Sequence, residues 1–115
     1  MTIGVDIEDI ERFKNKSQKF IERVFTPLEI EYCNKFSAPE SHFAVRFCAK
    51  EAVIKALTPF GIRNIALKEI EIFNNEEKYP QVRILKILDK QIEFEISLSH
   101  DKTKAIAFVN ANIKR

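Results

Sequence analysis

The hydrophobic pattern of the first 25 residues predicts a strand followed by short helices. Ile3, Val5 and Ile7 alternate with polar or small residues in the segment TIGVDI, which predicts a β-strand with one buried face. Apolar residues then recur at helical spacing between positions 10 and 25 and predict one or two short amphipathic helices. Ser17 is placed to cap the second of these helices.

Two further helices have clear start and stop signals. Thr26, Pro27 and Glu29 predict a helix start, with threonine as the N-cap, proline at the first helical position and glutamate completing a capping box. The segment SAPES breaks that helix around Pro39, and a longer helix is predicted from Glu40 to Leu57. The residues that end it are Thr58, Pro59 and Gly61.

The second half of the chain changes to a two-residue period. Strand-like segments are predicted over residues 65–73, 81–88, 91–100 and 105–113, with short turns between them. Strands joined in this way form an antiparallel meander. Because helices fill the first half and strands the second, we expect an α+β fold with helices packed on one face of an antiparallel β-sheet. No linker or repeat interrupts residues 1–115, so a single domain is predicted.

Composition narrows the possible classes of protein. A chain of 115 residues can form one domain with a real core. Its charge is nearly balanced, 19 basic against 17 acidic residues, which argues against a nucleic-acid partner. Cys33 and Cys48 have apolar neighbours and no metal-binding spacing, so reduced core thiols are expected. The absence of a signal-peptide pattern and of a long apolar run predicts a soluble, cytoplasmic protein that does not enter a membrane.

The helix predicted from Glu40 to Leu57 carries four charges in an otherwise apolar segment, RFCAKEAVIKAL. Apolar residues occur on every side of it, as in a helix that is buried or packed against another subunit. Glu51 and Lys55 are four residues apart and able to pair. Arg46 and Lys50 are alike and repel each other unless an anion lies between them. Two interpretations stay open: a partly exposed helix with one salt bridge, or a cationic pocket for phosphate and a metal.

Asp6 is a second candidate for a functional site. It ends the first predicted strand, on the face opposite Ile3 and Val5. Together with Glu51 it offers two carboxylates of the kind that bind Mg²⁺, although sequence spacing alone does not bring the two together. The other nearby acidic residues are explained by the first turn of a helix: Glu8, Asp9 and Glu11.

His100 is a third candidate. Its parity places it on the apparently buried face, at the end of the strand predicted over residues 91–100. A histidine there is either a core or edge residue, or a group that contacts phosphate or transfers a proton. His42 has no comparable sequence context and is therefore not a candidate site residue.

Basic residues are concentrated near the N-terminus. Between positions 12 and 24 only Glu22 opposes a run of basic side chains: Arg12, Lys14, Lys16, Lys19 and Arg23. Such a run is either a solvated helix face or a surface that docks an acidic protein.

Four segments together resemble the holo-[acyl-carrier-protein] synthases, a family of 4′-phosphopantetheinyl transferases. IGVDIEDIERF is similar to their N-terminal motif, and FTPLE is similar to their second motif. RFCAKEAVIKAL is similar to their signature R-F-[AC]-A-K-E-A-x-x-K-A, and ISLSHDKTKAIAFV is similar to their final motif, which contains a histidine. The four segments span almost the whole chain in the family's order.

The resemblance implies a reaction and a set of residues. Enzymes of this family move the 4′-phosphopantetheine arm of coenzyme A onto a serine of apo acyl carrier protein. They release adenosine 3′,5′-bisphosphate and support fatty acid biosynthesis. By resemblance, Asp6 and Glu51 bind Mg²⁺, and Lys55 stabilises or protonates the departing phosphate. On chemical grounds, Glu51 is expected to take the serine proton, either directly or through a metal-bound water. The residues expected at the coenzyme A site are Arg46, Lys50, Lys55, Gly61 and His100. The basic run from Arg12 to Arg23 is expected to receive the carrier protein.

The family also forms homotrimers that bind the nucleotide between subunits. One face of the last predicted strand is compatible with close packing, either in the core or between subunits, because its residues are small and apolar: Ala105, Ala107, Val109, Ala111 and Ile113. Two features depart from the family pattern. The loop after the signature helix has only Gly61 where the family is glycine-rich, and the turn before Pro80 has no glycine.

Two other classes of function are compatible with parts of the sequence. A non-catalytic module would dock an acidic protein or RNA through its basic N-terminal helices. A different Mg²⁺-dependent nucleotide phosphotransferase would need a phosphate-binding loop, and the sequence has no GxxxxGK[ST] motif. Substitution of Asp6 and Glu51 distinguishes an enzyme from a docking module, because only the enzyme needs both carboxylates.

Overall fold

The computed structural model describes residues 1–115. The first half contains strand β1 (Thr2–Asp9), a 3₁₀ turn (Ile10–Phe13) and helices α1 (Gln18–Val24), α2 (Pro27–Cys33) and α3 (Glu40–Leu57). Two 3₁₀ turns (Thr58–Phe60 and Leu67–Glu69) precede strands β2 (Ile70–Asn74), β3 (Pro80–Ile84), β4 (Ile92–His100) and β5 (Lys104–Ile113). The predicted α+β fold, with helices packed on antiparallel strands, is confirmed.

The strands form two antiparallel sheets instead of one meander. The larger sheet has the order β1-β5-β4, and β2 and β3 form a separate hairpin. β5 pairs along its length with both neighbours, so the first strand of the chain lies beside the last. The strand predicted from residue 65 begins only at Ile70, because Leu67–Glu69 form a 3₁₀ turn that the Glu69 side chain closes on the Ala66 amide, 2.8 Å away.

Helix α3 lies against the larger sheet, and Gly4 makes its close approach to β1 possible. A Cβ at Gly4 would lie 2.0 Å from the Ala52 carbonyl oxygen, so a side chain there would push the helix and the strand apart. This contact selects which face of β1 the helix covers. Gly4, Asp6 and Glu8 therefore point towards the helix, because alternate residues of a strand share a face.

The predicted burial of the apolar face of β1 is wrong within the protomer. Ile3, Val5 and Ile7 are 59%, 50% and 59% exposed. They lie on the outer face of the sheet, where Ile106 and Phe108 of β5 are also exposed. The small apolar face of β5, in contrast, is buried within the protomer. Its first four residues have no exposed surface and belong to the core beneath α3: Ala105, Ala107, Val109 and Ala111.

The local signals read from the sequence are found at the helix ends. Ser17 caps α1 by accepting a hydrogen bond from the Phe20 amide, and Thr26 and Glu29 form the capping box of α2. Helix α3 spans Glu40–Leu57 as predicted. Cys33 and Cys48 are buried free thiols, also as predicted. None of the helices combines the length and the apolar character needed to traverse a bilayer.

Candidate functional site

Strand β1 and helix α3 bring Asp6 and Lys55 together. The Lys55 ammonium lies 3.2 Å from Asp6 Oδ1 and donates a hydrogen bond to the Val5 carbonyl, 2.9 Å away. Sequence spacing had offered Glu51 as the partner of Lys55, and the structure gives it Asp6 instead. This leaves the Glu51 carboxylate without that lysine as its ion-pair partner.

One oxygen of Asp6 has no partner. Asp6 Oδ2 is buried and accepts no hydrogen bond, whereas Oδ1 is bonded to Lys55. A buried carboxylate oxygen without a donor or cation is costly, so such an oxygen in a folded protein points to a missing ligand. A cation is the ligand that a carboxylate oxygen favours.

Glu51 lies in the field of two other carboxylates. Burial raises the pKa of Glu51, and the negative charges of Asp6 and Glu8 raise it further; Lys55 and Arg12 oppose this shift. Glu8 is therefore part of the same acidic region. The sequence had suggested a helical turn at Glu8, but strand β1 continues to Asp9 and places Glu8 on the same face as Asp6. The sequence feature that could have placed Glu8 beside Asp6 is their two-residue spacing, because alternate residues of a strand share a face.

These residues fit a Mg²⁺ ion that takes most of its ligands from elsewhere. No group of three or more histidine, cysteine, aspartate or glutamate side chains is arranged to hold a metal ion. Mg²⁺ keeps several waters and usually takes only one or two protein carboxylates together with substrate phosphates. The free oxygen of Asp6 and the carboxylate of Glu51 meet that requirement.

Lys50 does not join this site. Its side chain has no exposed surface, and its ammonium lies 2.6 Å from Glu29 Oε1, 2.9 Å from the Leu67 carbonyl and 2.5 Å from the Ile70 carbonyl. Lys50 was predicted to contact coenzyme A, but its ammonium is bound by groups inside the protomer. Lys50 instead ties α3 to α2 and β2.

Arg46 is buried, with only 4% of its surface exposed, and its Nε has no hydrogen-bond partner. The guanidinium lies 4.1 Å from the centre of the Tyr32 ring. Both side chains line a cavity of about 160 Å³ that Lys35 and Asn74 also border. The cavity is thus lined by two cations, Lys35 and Arg46 with its unsatisfied Nε, and by one carboxylate, Glu31, so its net positive charge suits an anion.

His100 is exposed at the end of β4, although its parity had suggested the buried face. It lines an open cavity of about 530 Å³, together with Ser41 at the start of α3 and the basic residues Lys14 and Lys102. Two carboxylates, Glu40 and Asp101, border the same cavity. His100 therefore lies where a solvent-borne ligand can reach it.

Gly61 lies in an exposed turn with a left-handed backbone, φ 79°. A Cβ added there would meet nothing within 4 Å. The neighbouring cavity of about 200 Å³ is lined by Ile54, Thr58, Arg63 and Asn64, among others, and not by Gly61. The structure thus explains Gly61 by its backbone conformation and adds no contact to the site.

The predicted basic run is divided by its ion pairs. Arg12 pairs with Glu8, and Lys14 lies 3.1 Å from Glu11. Lys16 lies over the Phe20 ring, with its ammonium 4.8 Å from the ring centre. The other two basic residues are exposed and form no ion pair: Lys19 and Arg23. The uncommitted positive charge is thus on α1 and just before it.

Known proteins resemble this chain over nearly its whole length. Residues 2–109 match the family model of the 4′-phosphopantetheinyl transferase superfamily. The holo-[acyl-carrier-protein] synthase of Thermodesulfovibrio yellowstonii is 42% identical, over 93% of this chain and 94% of its own. The enzyme of the same name from Clostridium tetani is 38% identical, over 92% and 90%.

Solved structures agree. The ACPS–CoA complex of Chronobacterium ammoniagenes superposes with a TM-score of 0.82 at 27% identity, covering 99% of this chain and 98% of that one. The holo-[acyl-carrier-protein] synthase of Helicobacter pylori, in complex with coenzyme A, superposes with a TM-score of 0.79 at 33% identity, covering 96% and 99%.

Proposed function

The chain belongs to the 4′-phosphopantetheinyl transferase superfamily, and from this premise we propose that it transfers 4′-phosphopantetheine from coenzyme A to a serine of apo acyl carrier protein. Its relatives over nearly full length are enzymes named holo-[acyl-carrier-protein] synthase. The observation that carries the proposal in this chain is the buried, unpartnered Oδ2 of Asp6 beside Lys55 and Glu51. A docking module has no need of such an atom.

The chemistry assigns a role to each of these side chains. The serine Oγ attacks the phosphorus that bears the pantetheine arm, the pyrophosphate bond breaks, and adenosine 3′,5′-bisphosphate leaves. Glu51 is placed to take the serine proton, either directly or through a water. Lys55, held by Asp6 and the Val5 carbonyl, meets the negative charge that develops on the leaving phosphate.

A divalent cation completes the proposed site. Mg²⁺ bound by Asp6 and Glu51 would neutralise pyrophosphate charge and act as a Lewis acid. Coenzyme A binding is assigned to Arg46, Lys55 and His100, with Gly61 as a turn residue.

The carrier protein is proposed to dock on the basic N-terminal run. Lys16, Lys19 and Arg23 supply the charge that no acidic residue of this chain neutralises, and Arg12 and Lys14 border it. An acidic partner is attracted by such a surface mainly through faster association. Location in the cytoplasm and a part in fatty acid biosynthesis stay predictions.

The assembly proposed is a homotrimer. The outer face of the larger sheet exposes a contiguous apolar surface: Ile3, Val5, Ile7, Ile106 and Phe108. Aliphatic and aromatic side chains of neighbouring strands on one sheet face typically mark a contact surface. The surface supports self-association, and the number of three comes from the family.

The test is intact-mass spectrometry of apo acyl carrier protein after incubation with this protein, coenzyme A and Mg²⁺. The expected product is heavier by one phosphopantetheinyl group, and EDTA prevents its formation. Glu51→Gln should abolish the gain, and Glu11→Gln, which removes an exposed carboxylate paired only with Lys14, should retain it. Binding of carrier protein without any mass gain would favour the docking module.

A further inference from the structure

An aromatic cluster joins Tyr32 of the 160 Å³ cavity to His100 of the 530 Å³ cavity, and His42 is at its centre. The His42 ring stacks on Phe36 with centroids 3.6 Å apart and planes 15° from parallel. The His42 ring also packs edge-to-face with the Tyr32 and His100 rings, with ring centroids 6.1 Å and 6.3 Å apart. The stack holds the plane of the imidazole ring against Phe36.

The neighbours of His42 belong to different cavities. Tyr32 lines the 160 Å³ cavity with Arg46, which follows His42 by one helical turn in α3. His100 lines the 530 Å³ cavity with Ser41, the residue before His42. His42 thus contacts one residue of each cavity, Tyr32 of the first and His100 of the second.

The permanent charge that acts on His42 is the Arg46 guanidinium, while two carboxylates, Glu40 and Asp101, border the cavity of its neighbour His100. The titratable or charged groups that face it are Arg46 of α3, His100 of β4 and the Tyr32 phenol of α2. Burial lowers the pKa of His42, and the positive charges of Arg46 and His100 lower it further. A neutral imidazole beside a cation gains a proton more readily when an anion binds next to both, because the negative charge favours the imidazolium form.

Resting on the proposed function, we propose that His42 is a further phosphate-binding residue of the coenzyme A site and takes up a proton from solvent when coenzyme A binds. The buried guanidinium of Arg46 lacks a partner at Nε, so the pocket already presents one unsatisfied donor to an anion. An imidazolium adds a second, charge-assisted donor beside it. The ligand chemistry is a phosphate group, either the 3′-phosphate or the pyrophosphate of coenzyme A.

The test uses the full chain, which has only two histidines. The Cε1 proton resonances of both are followed through a pH titration, without ligand and with saturating coenzyme A. His42→Phe assigns the resonances and keeps an aromatic ring on Phe36. Calorimetric titration in two buffers of different ionisation enthalpy counts the protons taken up.

We expect the His42 resonance to titrate at higher pH with coenzyme A than without it, and the wild-type protein to take up protons near neutral pH. His42→Phe should lose that uptake and bind coenzyme A about tenfold more weakly at pH 6.5, with a smaller loss at pH 8.5. His42→Gln should behave in the same way if the Phe variant is poorly folded. Persistence of uptake with 3′-dephospho-coenzyme A assigns the pyrophosphate as the partner, and its loss assigns the 3′-phosphate.

Unchanged affinity and unchanged proton uptake in both His42 variants would overturn the inference, as would uptake that disappears only in His100→Gln. These results are distinct from failure of the proposed function. If the wild-type protein modifies the carrier protein but His42 does not respond to coenzyme A, only the inference falls. If the wild-type protein does not bind coenzyme A, both fall.

Discussion

The ammonium of Lys50 lies 2.6 Å from Glu29 Oε1, and neither side chain has any exposed surface. Glu29 also accepts hydrogen bonds from the Thr26 amide at 2.8 Å and the Ile72 amide at 2.7 Å. The pair therefore joins three elements, α2, α3 and β2, at a point where no solvent competes. Since each charge is buried, each depends on the other.

Lys50→Met is expected to destabilise the protein by about 3–5 kcal/mol, because it leaves Glu29 charged and without a cation in the core. Urea unfolding measures this loss. The paired variant Lys50→Met/Glu29→Gln should recover a substantial part of it, since neither charge then remains. Coenzyme A affinity, corrected for the folded fraction, should be unchanged. A stable Lys50→Met protein with weakened coenzyme A binding would restore the ligand role inferred from the family resemblance.

Helix α3 shows which features follow from local sequence signals and which depend on tertiary packing. Its ends, its apolar character and its charged positions were all predicted, because propensity, capping and proline act locally. The partners of its charges were not predictable in the same way. Glu29 is 21 positions before Lys50, and Asp6 is 49 positions before Lys55. Both partners are brought into range only by the packing of α2 and β1 on the helix.

The exposure of the apolar face of β1, where burial was predicted, also results from tertiary packing. Alternation shows that Ile3, Val5 and Ile7 share a face, but not which face the helix covers. The contact between Gly4 and Ala52 decides this, and it leaves the apolar side for another surface. His42 was missed for a related reason: its neighbours Phe36 and His100 come from a loop and a distant strand.

The two glycines of the chain should respond differently to alanine. At Gly4 the new Cβ would meet backbone atoms of α3, and we expect a loss of about 3 kcal/mol in the free energy of unfolding. At Gly61 there is open space, and only the left-handed backbone opposes a side chain, so the loss should be about 1 kcal/mol. Gly61→Asn should cost less than Gly61→Ala. Equal losses at Gly4 and Gly61 would contradict the close packing of β1 on α3.

Asp6→Asn should weaken the direct binding of Mg²⁺ or Mn²⁺ by at least about tenfold, because substitutions that only support metal ligands already have effects of that size. Calorimetry with the metal alone measures this before any catalysis. Glu11→Gln is the matched control, since it also removes one negative charge near β1 but at a side chain 80% exposed. If both variants bind the metal equally well, Asp6 is not a ligand.

Reversal of Lys16 and Arg23 to glutamate should weaken carrier-protein binding by about tenfold or more and leave coenzyme A binding nearly unchanged. The effect should shrink as salt is added, because exposed charges are screened. Lys90→Glu/Lys114→Glu changes the net charge by the same amount at exposed positions outside the basic run. Binding assays with both ligands decide the matter: equal losses for carrier protein and coenzyme A would exclude a separate docking surface.

His42 should also affect stability in acid, in the absence of any ligand. Its pKa is lowered in the folded protein, so below the ordinary histidine pKa the unfolded chain binds more protons than the folded one. The free energy of unfolding should therefore fall as the pH drops from that ordinary value to the lowered one. Below the lowered pKa this contribution becomes constant. His42→Phe removes the titrating group, so the stability difference between wild type and variant should shift in favour of the variant over the same pH window. Urea unfolding of both proteins between about pH 8 and pH 5 follows this difference, and parallel curves would show that His42 is not held neutral by its neighbours.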